Sequence, residues 1–148
     1  MPASRLLLAA LSAAAAVTTS VIVAAPADAA PSYCDSPHQC LWNNIHYVGP
    51  NNSAADIFEI NAYAPYFTQF SYPDGITLDR TLSSSYNNGT STKGKFRFYL
   101  SQACGGDYFT ISPGTGDSDF TNGSPTVGGR QVNDAARSGA FPSYVGSC

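Results

Sequence analysis

Histidine and glutamate are nearly missing from this chain, and their scarcity removes most of the ways in which a small protein performs catalysis. The only histidines are His38 and His46, and the only glutamate is Glu59. General acid–base chemistry needs a group that titrates near the working pH, most often histidine, and His46 reads as a half-exposed strand residue rather than a base. A Ser-His-Asp set could be drawn only by choosing freely among many serines. Zinc spacing is missing as well, because the two histidines stand eight residues apart and the cysteines are committed to disulfides. The chain is therefore expected not to be an enzyme. Charged residues make up 11% of the sequence, with a net charge of −3. Such a balance offers no broad cationic surface for nucleic acid or anionic lipid. Helix signals are also scarce: Gly, Pro, Asn and Ser interrupt the chain about every ten residues, and no apolar stripe of helical period persists.

Long apolar runs occur once, at the N-terminus. Residues 1–30 read as a secretory signal, with Arg5 in a short basic region, an apolar run from Leu6 to Ala25, and the small-residue site Ala27-Asp28-Ala29. The run approaches membrane-spanning length, but Thr18, Thr19, Ser20 and Pro26 favour cleavage over anchoring. Removing it takes away Arg5 and Asp28 and leaves the net charge unchanged. Residues 31–148 are then one small extracellular domain, expected to be monomeric and free of the membrane. It keeps all 4 cysteines, which in an exported chain suggest two disulfides from three possible connectivities.

Short β-rich runs lie between the interruptions: Gln39 to Trp42, Asp56 to Ile60, Gly94 to Ser101 and Tyr108 to Ser112. From Lys95 to Tyr99 charged and apolar residues alternate, as in a strand with one wet face. Asn87-Asn88-Gly89 and Pro113-Gly114 are turn signals. One pattern occurs twice. Trp42 is followed seven positions later by Gly49, and Tyr99 by Gly106; a Ser-bearing turn follows each, Asp79-Arg80-Thr81-Leu82-Ser83-Ser84 and Asn133-Asp134-Ala135-Ala136-Arg137-Ser138. Such a repeat fits a Greek-key unit whose first hairpin folds back over the sheet. Glycine would permit a positive φ or a close approach there, the aromatic ring would cover the bend, and a serine hydroxyl would tie it down. The fold class expected is all-β, a sandwich of Greek keys.

With these residues in view, the chain resembles the βγ-crystallin-like double Greek-key proteins. Within them it is similar to the small secreted actinobacterial peptidase inhibitors of family I36, which inhibit metalloproteinases. The resemblance implies a disulfide-stapled sandwich with local pairing, Cys34 to Cys40 and Cys104 to Cys148. It implies an extracellular protease as partner, with the contact at Ala103, Cys104, Gly105 and Gly106 and the Cys104–Gly105 bond at its centre. An inhibitory segment of this kind is expected to protrude in one extended conformation, so that binding costs little ordering entropy. The rival expectation on the same fold is a binding or toxin-like module with no protease partner.

The resemblance also raises calcium, which βγ-crystallins often hold between paired turns through carboxylate, carbonyl and hydroxyl oxygens. Here Asp79, Ser83, Asn133 and Asp134 remain as ligand types, but Arg80 and Arg137 stand at two ligand positions. Guanidinium only donates hydrogen bonds. The arginines are expected to pair with Asp79 or Asp134 in the cation's place, so that no cofactor is required and calcium binds weakly at best. The aromatic-rich segment Asn61 to Pro73, with Tyr63, Tyr66, Phe67, Phe70 and Tyr72, looks longer than a compact unit needs; it reads as a cover packed across the open end of the sandwich or, alternatively, as an exposed aromatic contact surface.

Overall fold

The computed structural model describes residues 31–49 and 51–148. The expected signal segment, 1–30, lies outside the described residues. The described residues form ten short strands: β1 (Gln39–Trp42), β2 (Phe58–Ile60), β3 (Tyr63–Ala64), β4 (Ser84–Asn87), β5 (Phe96–Tyr99), β6 (Tyr108–Ile111), β7 (Thr115–Asp117), β8 (Thr126–Val127), β9 (Arg130–Gln131) and β10 (Ser138–Ala140). Two antiparallel sheets result, in the orders β2-β1-β4-β7 and β3-β10-β5-β6, with β8 and β9 forming a small separate hairpin. Each half contributes four strands, and each gives its third to the other half's sheet: β3 pairs with β10, and β7 with β4.

Alternation explains which residues fill the space between the sheets. Leu41 from β1, Phe96 and Phe98 from β5, and Phe109 and Ile111 from β6 point inward and join Phe67, Leu78, Leu82, Phe120, Val132 and Phe141 in one core. A buried polar seam runs along β1 and β4. Gln39 Nε2 donates to Ser85 Oγ at 2.5 Å, Ser85 Oγ donates to the Cys40 carbonyl at 2.7 Å, and Asn87 Nδ2 donates to the Ile111 carbonyl at 2.9 Å. A smaller cluster lies on the outer face of the first sheet, where Cys34, Cys40, Trp42 and Tyr86 are buried beneath Tyr47 and Ile57. Both faces of β1 and β4 are covered, which is why every residue in those two strands is buried.

The disulfides join Cys34 to Cys40 and Cys104 to Cys148, with Cα atoms 5.8 and 5.6 Å apart. No cysteine is left free. The aromatic-rich segment corrects the expectation of an overlong insertion. It contains β3 and a 3-10 helix (Phe67–Gln69), and it is the counterpart of β7 and the 3-10 helix Phe120–Asn122 in the second half. Phe67 and Tyr72 are buried and Phe70 packs against the core, while Tyr63 and Tyr66 stay exposed.

Candidate functional site

The repeat reappears in the hydrogen bonds, residue for residue. Ser84 Oγ donates to the Asn44 carbonyl at 2.6 Å and accepts from Tyr47 N at 3.2 Å. Its counterpart Ser138 Oγ donates to the Ser101 carbonyl at 2.6 Å and accepts from Cys104 N at 3.0 Å. In each half one hydroxyl therefore ties both limbs of the fold-back loop to the sheet. The loops share a backbone shape too: His46 and Tyr47 have φ of 63° and 58°, Ala103 and Cys104 of 53° and 49°. The two motif glycines answer different needs. Gly106 has a φ of 72°, whereas a Cβ on Gly49 would collide with the Asp56 carbonyl. Trp42 and Tyr99 are both buried; Trp42 packs 5.2 Å from the Tyr47 ring and Tyr99 5.4 Å from that of Tyr108.

The Ser-bearing turns face each other and exchange bonds. Arg80 N donates to the Ala136 carbonyl at 3.1 Å, and Asp134 N to the Leu82 carbonyl at 3.0 Å. Arg80 and Asp134, at matching places, both take a positive φ, 59° and 54°. Across this junction Arg137 Nε donates to Asp79 Oδ1 at 3.1 Å, so the guanidinium from one turn neutralises the carboxylate of the other. The expected pairing of an arginine with Asp79 forms here. Arg80 departs from it: among the described residues it reaches no carboxylate at ion-pair distance, and it lines a cleft of about 250 Å3 with Leu100, Arg130, Gln131, Asp134 and Ala135.

The ligand types expected for calcium are arranged differently at the two junctions. At one junction Arg137 holds the ligand carboxylate of Asp79. At the matching junction the counterparts are Asn133 and Ser83, which are neutral. Asn133 Oδ1 is buried without a hydrogen-bond partner, and Asn133 Nδ2 donates to Asp134 Oδ2 at 2.8 Å. Burial pushes the Asp134 carboxyl above its ordinary range, against the lowering effect of that hydrogen bond. No group of three or more His, Cys, Asp or Glu is placed to hold a metal among the described residues.

The loop expected to contact a protease, residues 101–107, is restrained but not extended. Ala103 N donates to the Pro65 carbonyl at 2.7 Å, Leu100 N to the Asp107 carbonyl at 2.9 Å, and the Cys104–Cys148 bridge closes it to the C-terminus. Its left-handed residues, Ala103 and Cys104, replace the extended course expected of them, because the peptide must turn back to reach Ser138. Sequence reasoning missed the structural equivalence of Tyr47 and Cys104. The signal was present, since both stand five residues after the motif aromatic. In the first half a tyrosine ring covers the loop; in the second a disulfide closes it.

Two sheets that exchange their third strands, two serine-tied fold-back loops and two reciprocal turns define the architecture. This is the βγ-crystallin fold. The chain is similar to a structure described as bearing on the evolution of the eye lens βγ-crystallin domain fold, at 16% identity and a TM-score of 0.50, over 70% of this chain and 83% of that one. A βγ-crystallin from an archaeon gives 16% identity and a TM-score of 0.49 over 72% and 99%. One from Ciona intestinalis gives 12% and 0.48 over 70% and 98%. No family model matches the sequence, and no curated protein matches it. The likeness is one of fold. Two disulfides suit an oxidising, extracellular compartment, and no helix among the described residues is long and apolar enough to cross a membrane.

Proposed function

We propose that this chain, after loss of residues 1–30, is a secreted, monomeric and non-enzymatic domain that inhibits an extracellular metalloprotease through the loop of residues 101–107. The observation that supports this reading is the loop's restraint while partly exposed. Its limbs share the Ser138 hydroxyl, its tip is bonded to Pro65, and Cys104 is bridged to Cys148. A loop already held in place loses little entropy when a protease cleft closes on it.

Titration of the mature protein against a thermolysin-like enzyme is the test. Stoichiometric inhibition is expected. The Cys104→Ser, Cys148→Ser double variant should inhibit at least tenfold more weakly and be cleaved near Gly105. Gly105 does not need a positive φ, and a Cβ there would meet the Gln102 carbonyl at 3.2 Å. A small shift admits a side chain, so Gly105→Leu should strengthen inhibition by roughly 1–3 kcal/mol through contact with an apolar pocket. Absence of inhibition by the wild type, or full inhibition by a folded double-serine variant, overturns the assignment.

A binding module without a protease partner is the second reading. The left-handed pair Ala103 and Cys104 favours it, because extended peptide is what a protease cleft pairs with. Failure of the wild type against metalloproteases and serine proteases alike would select it.

A further inference from the structure

The outer faces of the two sheets are finished differently. Over the first sheet, the fold-back loop of residues 43–57 buries Trp42 and Tyr86. Its counterpart, residues 100–107, is about half as long; Tyr99, Ser138 and Ala140 on the outer face of the second sheet are buried, but tyrosines on its two edge strands stay at the surface. Tyr63 on β3 is 41% exposed and Tyr108 on β6 47%; Tyr144, from the C-terminal 3-10 helix Pro142–Ser147, is 37% exposed. Their arrangement is ordered. Tyr63 and Tyr144 stack with ring centroids 6.4 Å apart and planes at 28°. Tyr63 stands opposite Ala140, and Ala140 opposite Arg97. The Arg97 guanidinium lies 5.1 Å from the centroid of the Tyr108 ring. Tyr63 on one side and Arg97 with Tyr108 on the other flank the buried β10, a span of about 14 Å from three strand spacings.

Charge on this face runs against that of the protein. No Asp or Glu occurs on β3, β5, β6 or β10, although the chain as a whole carries a net charge of −3. Lys95, exposed, precedes Arg97 by two residues and so shares its side of the strand direction. Lys93 is committed elsewhere, its Nζ donating to the Pro37 carbonyl at 3.1 Å and to Asn61. Asp107, just before Tyr108, is the nearest acid in sequence and marks the loop end of the strip.

We propose that this face binds an acidic oligosaccharide. Tyrosine rings offer flat apolar surfaces, rimmed by hydroxyls, that match the C–H face and the polar edge of a pyranose. A sugar carboxylate or sulfate laid along the strip meets the fork of Arg97, whose planar donors suit such groups, with Lys95 beside it. The length fits several linked sugars better than one. A protein partner would require an apolar centre, and the one aliphatic residue along the strip's register, Ala140, is fully buried. This assignment is independent of the protease reading, since it rests on the sheet face and not on the loop.

Isothermal calorimetry on the mature chain with oligogalacturonate, and with a malto-oligosaccharide of the same length, tests it. Oligogalacturonate is expected to bind, more weakly as salt is raised, and the neutral sugar not to. Arg97→Gln and Tyr108→Ala should each lower affinity about tenfold, and Arg97→Lys should recover part of the loss. Tyr33→Ala, at an exposed tyrosine in the N-terminal segment outside this sheet, should change nothing. The proposal is overturned if neither oligogalacturonate nor a heparin fragment binds, or if the neutral sugar binds equally. It is also overturned if Arg97→Gln and Tyr108→Ala, with melting temperatures like the wild type's, bind as well as it does.

Discussion

The two halves of this molecule make the same backbone bonds and close them with different side chains. In the first, a long fold-back loop is lidded by Tyr47, whose ring sits against Trp42 and Tyr86. In the second, a short loop carries Cys104 at the matching place and is bridged to Cys148. What the halves share is therefore scaffold: Ser84 and Ser138, Gly49 and Gly106, and the reciprocal turn bonds. Their differences leave a disulfide-closed loop in one half and a sheet whose edge tyrosines are uncovered, and both proposals rest on those differences.

Breaking the covalent closures should separate the halves most. The Cys104–Cys148 bridge spans a sequence separation of 44 and the Cys34–Cys40 bridge one of 6. From loop entropy, replacing both cysteines by serine should cost about 4 kcal/mol for the long bridge and about 2 for the short one. Denaturant titration of the two double variants would measure this, and equal losses would refute the ranking. The serine ties come next. Ser84→Ala and Ser138→Ala each remove a buried hydroxyl that makes two bonds to a loop, with expected losses of roughly 2–3 kcal/mol by thermal unfolding. Equal values would mark the scaffold as symmetric in energy as well as in geometry; a smaller loss at Ser138 would mean that the disulfide already holds its loop.

Both ties were legible in the sequence because a Ser-bearing turn follows each aromatic–glycine pair at a similar distance, Ser84 lying 42 residues after Trp42 and Ser138 39 after Tyr99. The inward faces of β5 and β6 were legible from alternation. Strands β4 and β10 were not, since the residues Ser-Ser-Tyr-Asn and Ser-Gly-Ala show no alternation once both sheet faces are covered. The exchange of β3 and β7 left no local trace either, as strand pairing across halves is set by the shared core. Arg97 and Tyr108 were hidden for a different reason: net charge averages over the whole surface and conceals a local reversal of sign.

A smaller effect concerns the paired turns. Arg137→Ser alone should cost about 1 kcal/mol, because the pair with Asp79 is partly exposed to solvent. Combined with Arg80→Asn it should raise calcium affinity measurably by calorimetry, from no tight binding in the wild type. Micromolar affinity in the wild type would contradict the arginine-for-cation replacement. The smallest change is expected at Tyr72, whose hydroxyl is buried. Burial pushes this phenol well above its ordinary range, outweighing a lowering influence from Thr81. The neutral form is the one that folds, so stability is complete below the unfolded tyrosine value near about 10 and falls as pH rises beyond it. Tyr72→Phe should remove its share of that alkaline loss and change stability at neutral pH by no more than about 1 kcal/mol. Unfolding followed at pH 7 and pH 11 would show both.

The exchange of β3 and β7 has a consequence for how the chain comes to exist. Among the described residues β3 finds its sheet partner in β10, with Tyr63 opposite Ala140. The first half alone is therefore a unit with one strand unpaired and its core open on one side. Neither half can complete its own sheet, so each waits on the other to reach the native state. Unfolding should accordingly be a single cooperative transition in which the halves are lost together.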